Sequence, residues 1–168
     1  MLTALKPEDQ QPDVAAMKVL YISDFLTEKN ILFFPARLDK SNIFKDLIGS
    51  MNLPDPELAL KEVLYRELWG RTVIAPGFAI PHARIPGLTH VAAAIGICQQ
   101  GIADPKSTSQ QPSLYLLFVG PTNDVQQHLS FLAAVSTLFQ SKDLAKHLVQ
   151  LTTPGAVFAK LRAAEGAQ

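Results

Sequence analysis

Glu67-Leu-Trp-Gly-Arg-Thr-Val-Ile-Ala-Pro-Gly-Phe-Ala-Ile-Pro-His82-Ala-Arg84 sets one imidazole directly after an apolar, strand-like run. Phe78, Ala79 and Ile80 suit a short buried strand, while Pro81 fixes its own φ and pushes Ile80 toward extended geometry. Gly77 is expected to allow a backbone approach that a Cβ would block. The stem under His82 is therefore stiff. An imidazole is a nucleophile only when neutral, and an unperturbed pKa of about 6.5 leaves a ring nitrogen free near neutral pH.

Upstream of this stretch, residues 1–16 mix prolines with Glu, Asp and Gln without periodicity, the composition of a flexible N-terminal tail. Ile31 to Phe34 reads as a strand. Asp39 is placed to cap a helix whose apolar positions Ile43, Phe44, Leu47, Ile48 and Met51 share one face. Asp55 and Pro56 then open a second helix as N-cap and first residue, with Leu60, Val63, Leu64 and Leu68 as its buried stripe and Arg66 near its end.

Downstream, Val91 to Cys98 and Leu114 to Val119 are apolar almost throughout, as strands covered on both faces are. Between them, Gly101 to Gln111 reads as an exposed loop. Asp124 caps a long helix packed through Leu129, Leu132, Ala133, Val135, Ser136, Leu138 and Phe139, and shorter helical patterns follow near Lys142 to Leu151 and Ala156 to Ala163. Residues 17–164 are expected to form one domain and residues 165–168 a C-terminal tail. Helices and strands are interspersed without internal repeats, which predicts one sheet flanked by helices.

Bulk properties exclude several function classes. The 168 residues include fifteen basic and fifteen acidic side chains, so no global field recruits nucleic acid or an anionic membrane. The single cysteine, Cys98, rules out an intrachain disulfide and reads as core. No stretch approaches the roughly 20 apolar residues of a membrane-spanning helix, and no signal-like hydrophobic region opens the chain, so a cytoplasmic protein that does not span the membrane is expected. The four histidines form no His-Glu-x-x-His motif, no metal is expected, and no Gly-x-Ser-x-Gly turn supports a serine hydrolase.

Three separated segments carry a family resemblance: Arg66-Glu67, Ala79-Ile80-Pro81-His82, and His128-Leu129-Ser130-Phe131-Leu132-Ala133. In order and spacing the chain resembles the type-2 enzyme IIA domains of the bacterial phosphoenolpyruvate-dependent phosphotransferase system, the fructose, mannitol and nitrogen-related group, over roughly Ile22 to Leu161. The resemblance implies a single mixed central β-sheet flanked by helices on both faces, as in mannitol-type enzyme IIA. It implies that His82 is the phosphorylated histidine, with His128 and Arg66 as its catalytic companions. The donor would be HPr or its nitrogen-type counterpart, and the acceptor or target a separate enzyme IIB or a regulatory protein. No cofactor is implied beyond the covalent phosphohistidine.

The residue types fit that chemistry. Phosphoryl transfer through a loose transition state needs alignment and electrostatic stabilisation, which a planar guanidinium and a neutral ring N–H supply. His128, just inside a helix that starts near Asp124, lies where the helix end favours anions and disfavours an imidazolium. Many family members carry Gly-Ser-Thr-Gly-Ile-Gly-Asn-Gly where this chain has Gly70-Arg71-Thr72-Val73-Ile74-Ala75-Pro76-Gly77, and Ala83 replaces the usual glycine after the histidine. Thr72, Arg71 and Gly77 are the expected phosphate-binding remnants of that turn, and Arg84 is a candidate partner contact.

Each residue also has a plainer reading. Arg66 could pair with Glu62 on the helix surface, Arg71 with Glu67, and His128 could be a packing residue; His90 and His147 have no role in the pattern. The altered turn also keeps open a competing function: a regulatory domain of the same fold that binds a transporter, kinase or transcription factor without productive phosphorylation.

Overall fold

A computed structural model of the chain describes residues 19–34, 38–70, 72–99 and 112–167. The expected N-terminal tail, the whole of the 101–111 loop and Arg71 lie outside them.

Two short 3-10 turns, Ile22–Phe25 and Glu28–Asn30, lead into β1 (Ile31–Phe33). There follow α1 (Lys40–Gly49), α2 (Pro56–Leu68), β2 (Val73–Ala75), β3 (Phe78–Ala79), β4 (His82–Ile85), β5 (Ala92–Ile97) and β6 (Leu114–Pro121). Three helices finish the described chain: α3 (Val125–Leu138), α4 (Lys142–Leu148) and α5 (Pro154–Gly166).

The strands form one mixed sheet in the order β1-β5-β6-β3-β2, with β4 also beside β6. β1 runs parallel to β5, β5 antiparallel to β6, β3 and β4 parallel to β6, and β2 antiparallel to β3. β3 and β4 share one register offset on β6, since Phe78 faces Leu114 and His82 faces Phe118. They are two halves of one strand interrupted at Ile80-Pro81. Pro81 has no N–H to give, but its carbonyl still accepts from Phe118 N at 3.1 Å, so the line is held across the break.

Every residue of β6 is buried, and its side chains alternate between two cores. Leu114, Leu116 and Phe118 join Phe131, Val135 and Leu138 of α3, Leu144 and Leu148 of α4, and Val157 and Leu161 of α5. Tyr115, Leu117 and Val119 join Ile43, Phe44, Leu47 and Ile48 of α1 and Ala59 and Val63 of α2. Helices thus cover both faces of the sheet.

Asp55 caps α2 by accepting from Leu58 N at 3.0 Å, and Asp124 caps α3 by accepting from Gln127 N at the same distance. Asp39 stands at the N-cap of α1, but its side chain accepts no capping bond. Leu68 does not belong to the buried stripe of α2: it is 68% exposed, and the fully buried positions of the helix are Ala59 and Val63. The buried face of α3 is His128, Phe131, Val135 and Leu138, whereas Leu129, Ala133 and Ser136 are exposed. The segment expected as a tail from residue 165 is helical to Gly166, because Glu165 is buried and accepts hydrogen bonds from both Ser23 N and Ser23 Oγ.

Candidate functional site

His82 is the first residue of β4, facing Phe118 across the ladder. The two rings stack, 5.2 Å between centroids and 12° between planes. His82 Nδ1 lies 2.8 Å from the Ile80 carbonyl oxygen. A carbonyl only accepts, so Nδ1 carries the proton and Nε2 keeps its lone pair. Burial is the largest influence on the ring and lowers its pKa below 6.5; the Ile80 hydrogen bond opposes it, the Arg66 charge adds to it, and the Glu67 charge works against it. The neutral, nucleophilic form is favoured.

His128 reaches the same spot from the first turn of α3, its ring centroid 5.5 Å from that of His82 and 4.9 Å from that of Phe118. Only 7% of the residue is exposed. Burial first, then the neighbouring charges of His82 and Arg84, lower its pKa from 6.5 to about 4. It is a neutral ring at neutral pH. Its Nδ1 is buried without a hydrogen-bond partner among the described residues, which leaves the other nitrogen as its polar working end.

The seat of His128 is Gly120. A Cβ added there would lie 2.7 Å from His128 Nδ1 and 3.3 Å from His128 Cβ, so only a glycine admits the ring this close to β6. Phe118 packs in turn on Phe131, centroids 4.7 Å apart, which ties the floor of the site to the core. Neither Phe118 nor Gly120 stands out in the sequence, because each lies inside an apolar strand with nothing local to indicate which residue it will face.

Arg66 is on the last turn of α2, exposed and close enough for its charge to act on His82. No ion pair joins it to Glu62 among the described residues. Glu67 is held on both oxygens: Lys40 Nζ lies 3.2 Å from Oε2, and Thr72 Oγ1 donates to Oε1 at 2.6 Å. Thr72, 6% exposed, therefore directs its proton at a carboxylate. The Thr72 carbonyl accepts from Ile80 N at 2.8 Å and so braces the stem of His82.

Gly77 is not part of the site. It occupies the β2–β3 turn at φ 76°, with no atom within 4 Å of a would-be Cβ. Positive φ, not a close approach, is what calls for glycine there. The turn abuts the Leu114 end of β6 while His82 pairs at Phe118, which puts Gly77 about 16 Å away at the rise of an extended chain. Val73, Ala75 and Pro76 belong to the same hairpin, so most departures from the family turn lead away from the imidazole. Arg84 is exposed on β4, with Ala83 and Ile85 buried on the other face. His90 and His147 are exposed.

Tyr65 and Leu68 of α2 and the adjoining Trp69 are exposed, the last at 74%, as are Val125 and Leu129 of α3. No group of three or more His, Cys, Asp or Glu side chains that could hold a metal ion occurs among the described residues. No described helix is long and apolar enough to cross a membrane.

The family described as phosphoenolpyruvate-dependent sugar phosphotransferase system, EIIA 2, matches residues 24–164. The fructose-specific EIIABC component of Bacillus subtilis is 26% identical over 141 residues, covering 81% of this chain but only 22% of that protein's length. The nitrogen regulatory protein IIA-Ntr of Neisseria meningitidis superposes with a TM-score of 0.71 at 21% identity, over 83% of this chain and 98% of the other. A mannitol-specific cryptic enzyme IIA of Escherichia coli superposes with a TM-score of 0.68 at 18% identity, over 89% and 100%.

Proposed function

The chain belongs to the type-2 EIIA family of the phosphoenolpyruvate-dependent sugar phosphotransferase system, and from that premise we propose that it is a phosphoryl carrier working through His82. The observation that carries the proposal is the Nδ1–H bond to the Ile80 carbonyl, which leaves Nε2 as the nucleophilic atom beside His128. The Nε2 lone pair attacks the phosphorus of phosphohistidine HPr. The new N–P bond forms as the donor's N–P bond breaks, and that electron pair returns to the donor imidazole. No proton leaves His82 during the step. The phosphorylated ring then bears positive charge, and the Ile80 carbonyl, already accepting from Nδ1, stabilises it.

His128 donates to a phosphoryl oxygen through its outward nitrogen, and Arg66 neutralises charge from the α2 side. Glu67 would repel the anion if it swung inward; Lys40 and Thr72 hold it in place. Exposed Tyr65, Leu68 and Trp69 beside Arg66 form the apolar rim that a protein donor or acceptor would cover. The phosphoryl group passes on to an enzyme IIB, or its presence is reported to a regulatory target in the cytoplasm.

The test is incubation with enzyme I, HPr and phosphoenolpyruvate, followed by intact mass under basic conditions. An acid-labile phosphoryl adduct that is absent from His82→Ala supports the carrier. Its absence from the wild-type chain favours a regulatory binding domain of the same fold.

A further inference from the structure

The face of β4 that carries His82 also carries Arg84, two residues on. Across the ladder His82 faces Phe118 and Arg84 faces Gly120. Gly120 offers no side chain, and the space above it is filled by the His128 ring. The cross-strand neighbour of Arg84 is therefore an imidazole delivered by α3, not a side chain of β6. Among the described residues no carboxylate is paired with Arg84, and its charge is one of those that hold His128 neutral.

We propose that Arg84 is a second guanidinium of the phosphoryl site, standing across Gly120 from His128 and donating to the anion on the flank opposite Arg66. The proposal takes its ligand from the carrier reading. A phosphoryl group brings roughly 1.5 to 2 negative charges at neutral pH. Between two neutral rings, Arg66 alone would balance about half of that, and a second fork matches the remainder. Arg66 comes from a helix on one face of the sheet, whereas Arg84 stands on the face covered by α3, so the two approach the anion from different sides.

The experiment uses inorganic phosphate as the probe and imidazole NMR of His82 and His128 as the readout. Wild-type protein, Arg84→Gln, Arg84→Lys and the remote surface control Arg162→Gln are compared. Phosphate should shift both rings in wild type and in the control. Arg84→Gln should weaken that binding at least tenfold, and Arg84→Lys should restore part of it. The titration midpoint of His128 should rise in Arg84→Gln, which a merely folded-state role for Arg84 would not produce. Unchanged phosphate affinity in Arg84→Gln, an unmoved His128 midpoint, or no phosphate response in wild type overturns the proposal. Failure of HPr to phosphorylate the wild-type chain would sink the carrier reading instead, and the phosphate titration would still decide the role of Arg84.

Discussion

Replacing Gly120 with alanine should cost both stability and transfer rate, and the geometry says how much. The new Cβ would stand 2.7 Å from His128 Nδ1, 3.3 Å from its Cβ and 3.4 Å from its Cγ. Contacts between such atoms are comfortable at about 3.5 Å, so the ring or the strand must yield by roughly 0.8 Å. Gly120 does not have positive φ, so the backbone accepts alanine, and the lower entropy of the unfolded chain would by itself stabilise by about 0.4–1 kcal/mol. Overpacking a closed site costs about 1–3 kcal/mol. The clash wins, and a net loss of about 1–2 kcal/mol is expected in urea denaturation. Because the ring displaced is the one beside His82, a shift approaching 1 Å should slow single-turnover transfer from phospho-HPr by about 10- to 100-fold. If Gly120→Ala leaves both quantities at wild-type values, His128 is not seated on β6 as described. Lost stability with an unchanged rate would remove His128 from the transfer step.

The depressed histidines make stability depend on pH. Between about 4 and 6.5 the unfolded chain binds a proton at His128 that the folded chain does not, so stability rises with pH across that window, is level above it, and has lost this contribution below it. His82 acts in the same direction. His128→Asn should flatten the slope of urea midpoints against pH, and an identical slope would contradict the burial assigned to the ring. Ser23→Ala deprives buried Glu165 of one of two hydrogen bonds and should lower stability by about 1–3 kcal/mol in thermal unfolding, whereas a change below about 0.5 kcal/mol would mean the carboxylate is solvated. Trp69→Ser should leave stability within about 0.5 kcal/mol yet weaken HPr binding, measured calorimetrically, by about 1 kcal/mol or more; unchanged binding would place the donor elsewhere.

What could be read in the chain itself follows from where each signal resides. Caps are local, so Asp55-Pro56 and Asp124 announce their helices. His82 and His128 are recognisable from motifs around each. Strand pairing is not local: β5 and β6 are buried on both faces, carry no alternation, and so give no register. Phe118 as the partner of His82 and Gly120 as the seat of His128 both depend on that register. The buried row of α3 departs from the apolar pattern for a related reason, since a polar histidine occupies it while Leu129 is apolar and exposed. Gly77 and His82 are close in sequence, but an extended chain carries the two apart.

On the carrier reading, the Ile80 carbonyl holds the Nδ1 proton of His82 and Nε2 is the phosphoryl acceptor. NMR of the ¹⁵N-labelled, phosphorylated chain reads this directly through one-bond nitrogen–phosphorus coupling. Coupling to Nε2 of His82 with the Nδ1 proton retained is the expected result. Coupling to Nδ1, or to any other histidine, would contradict it.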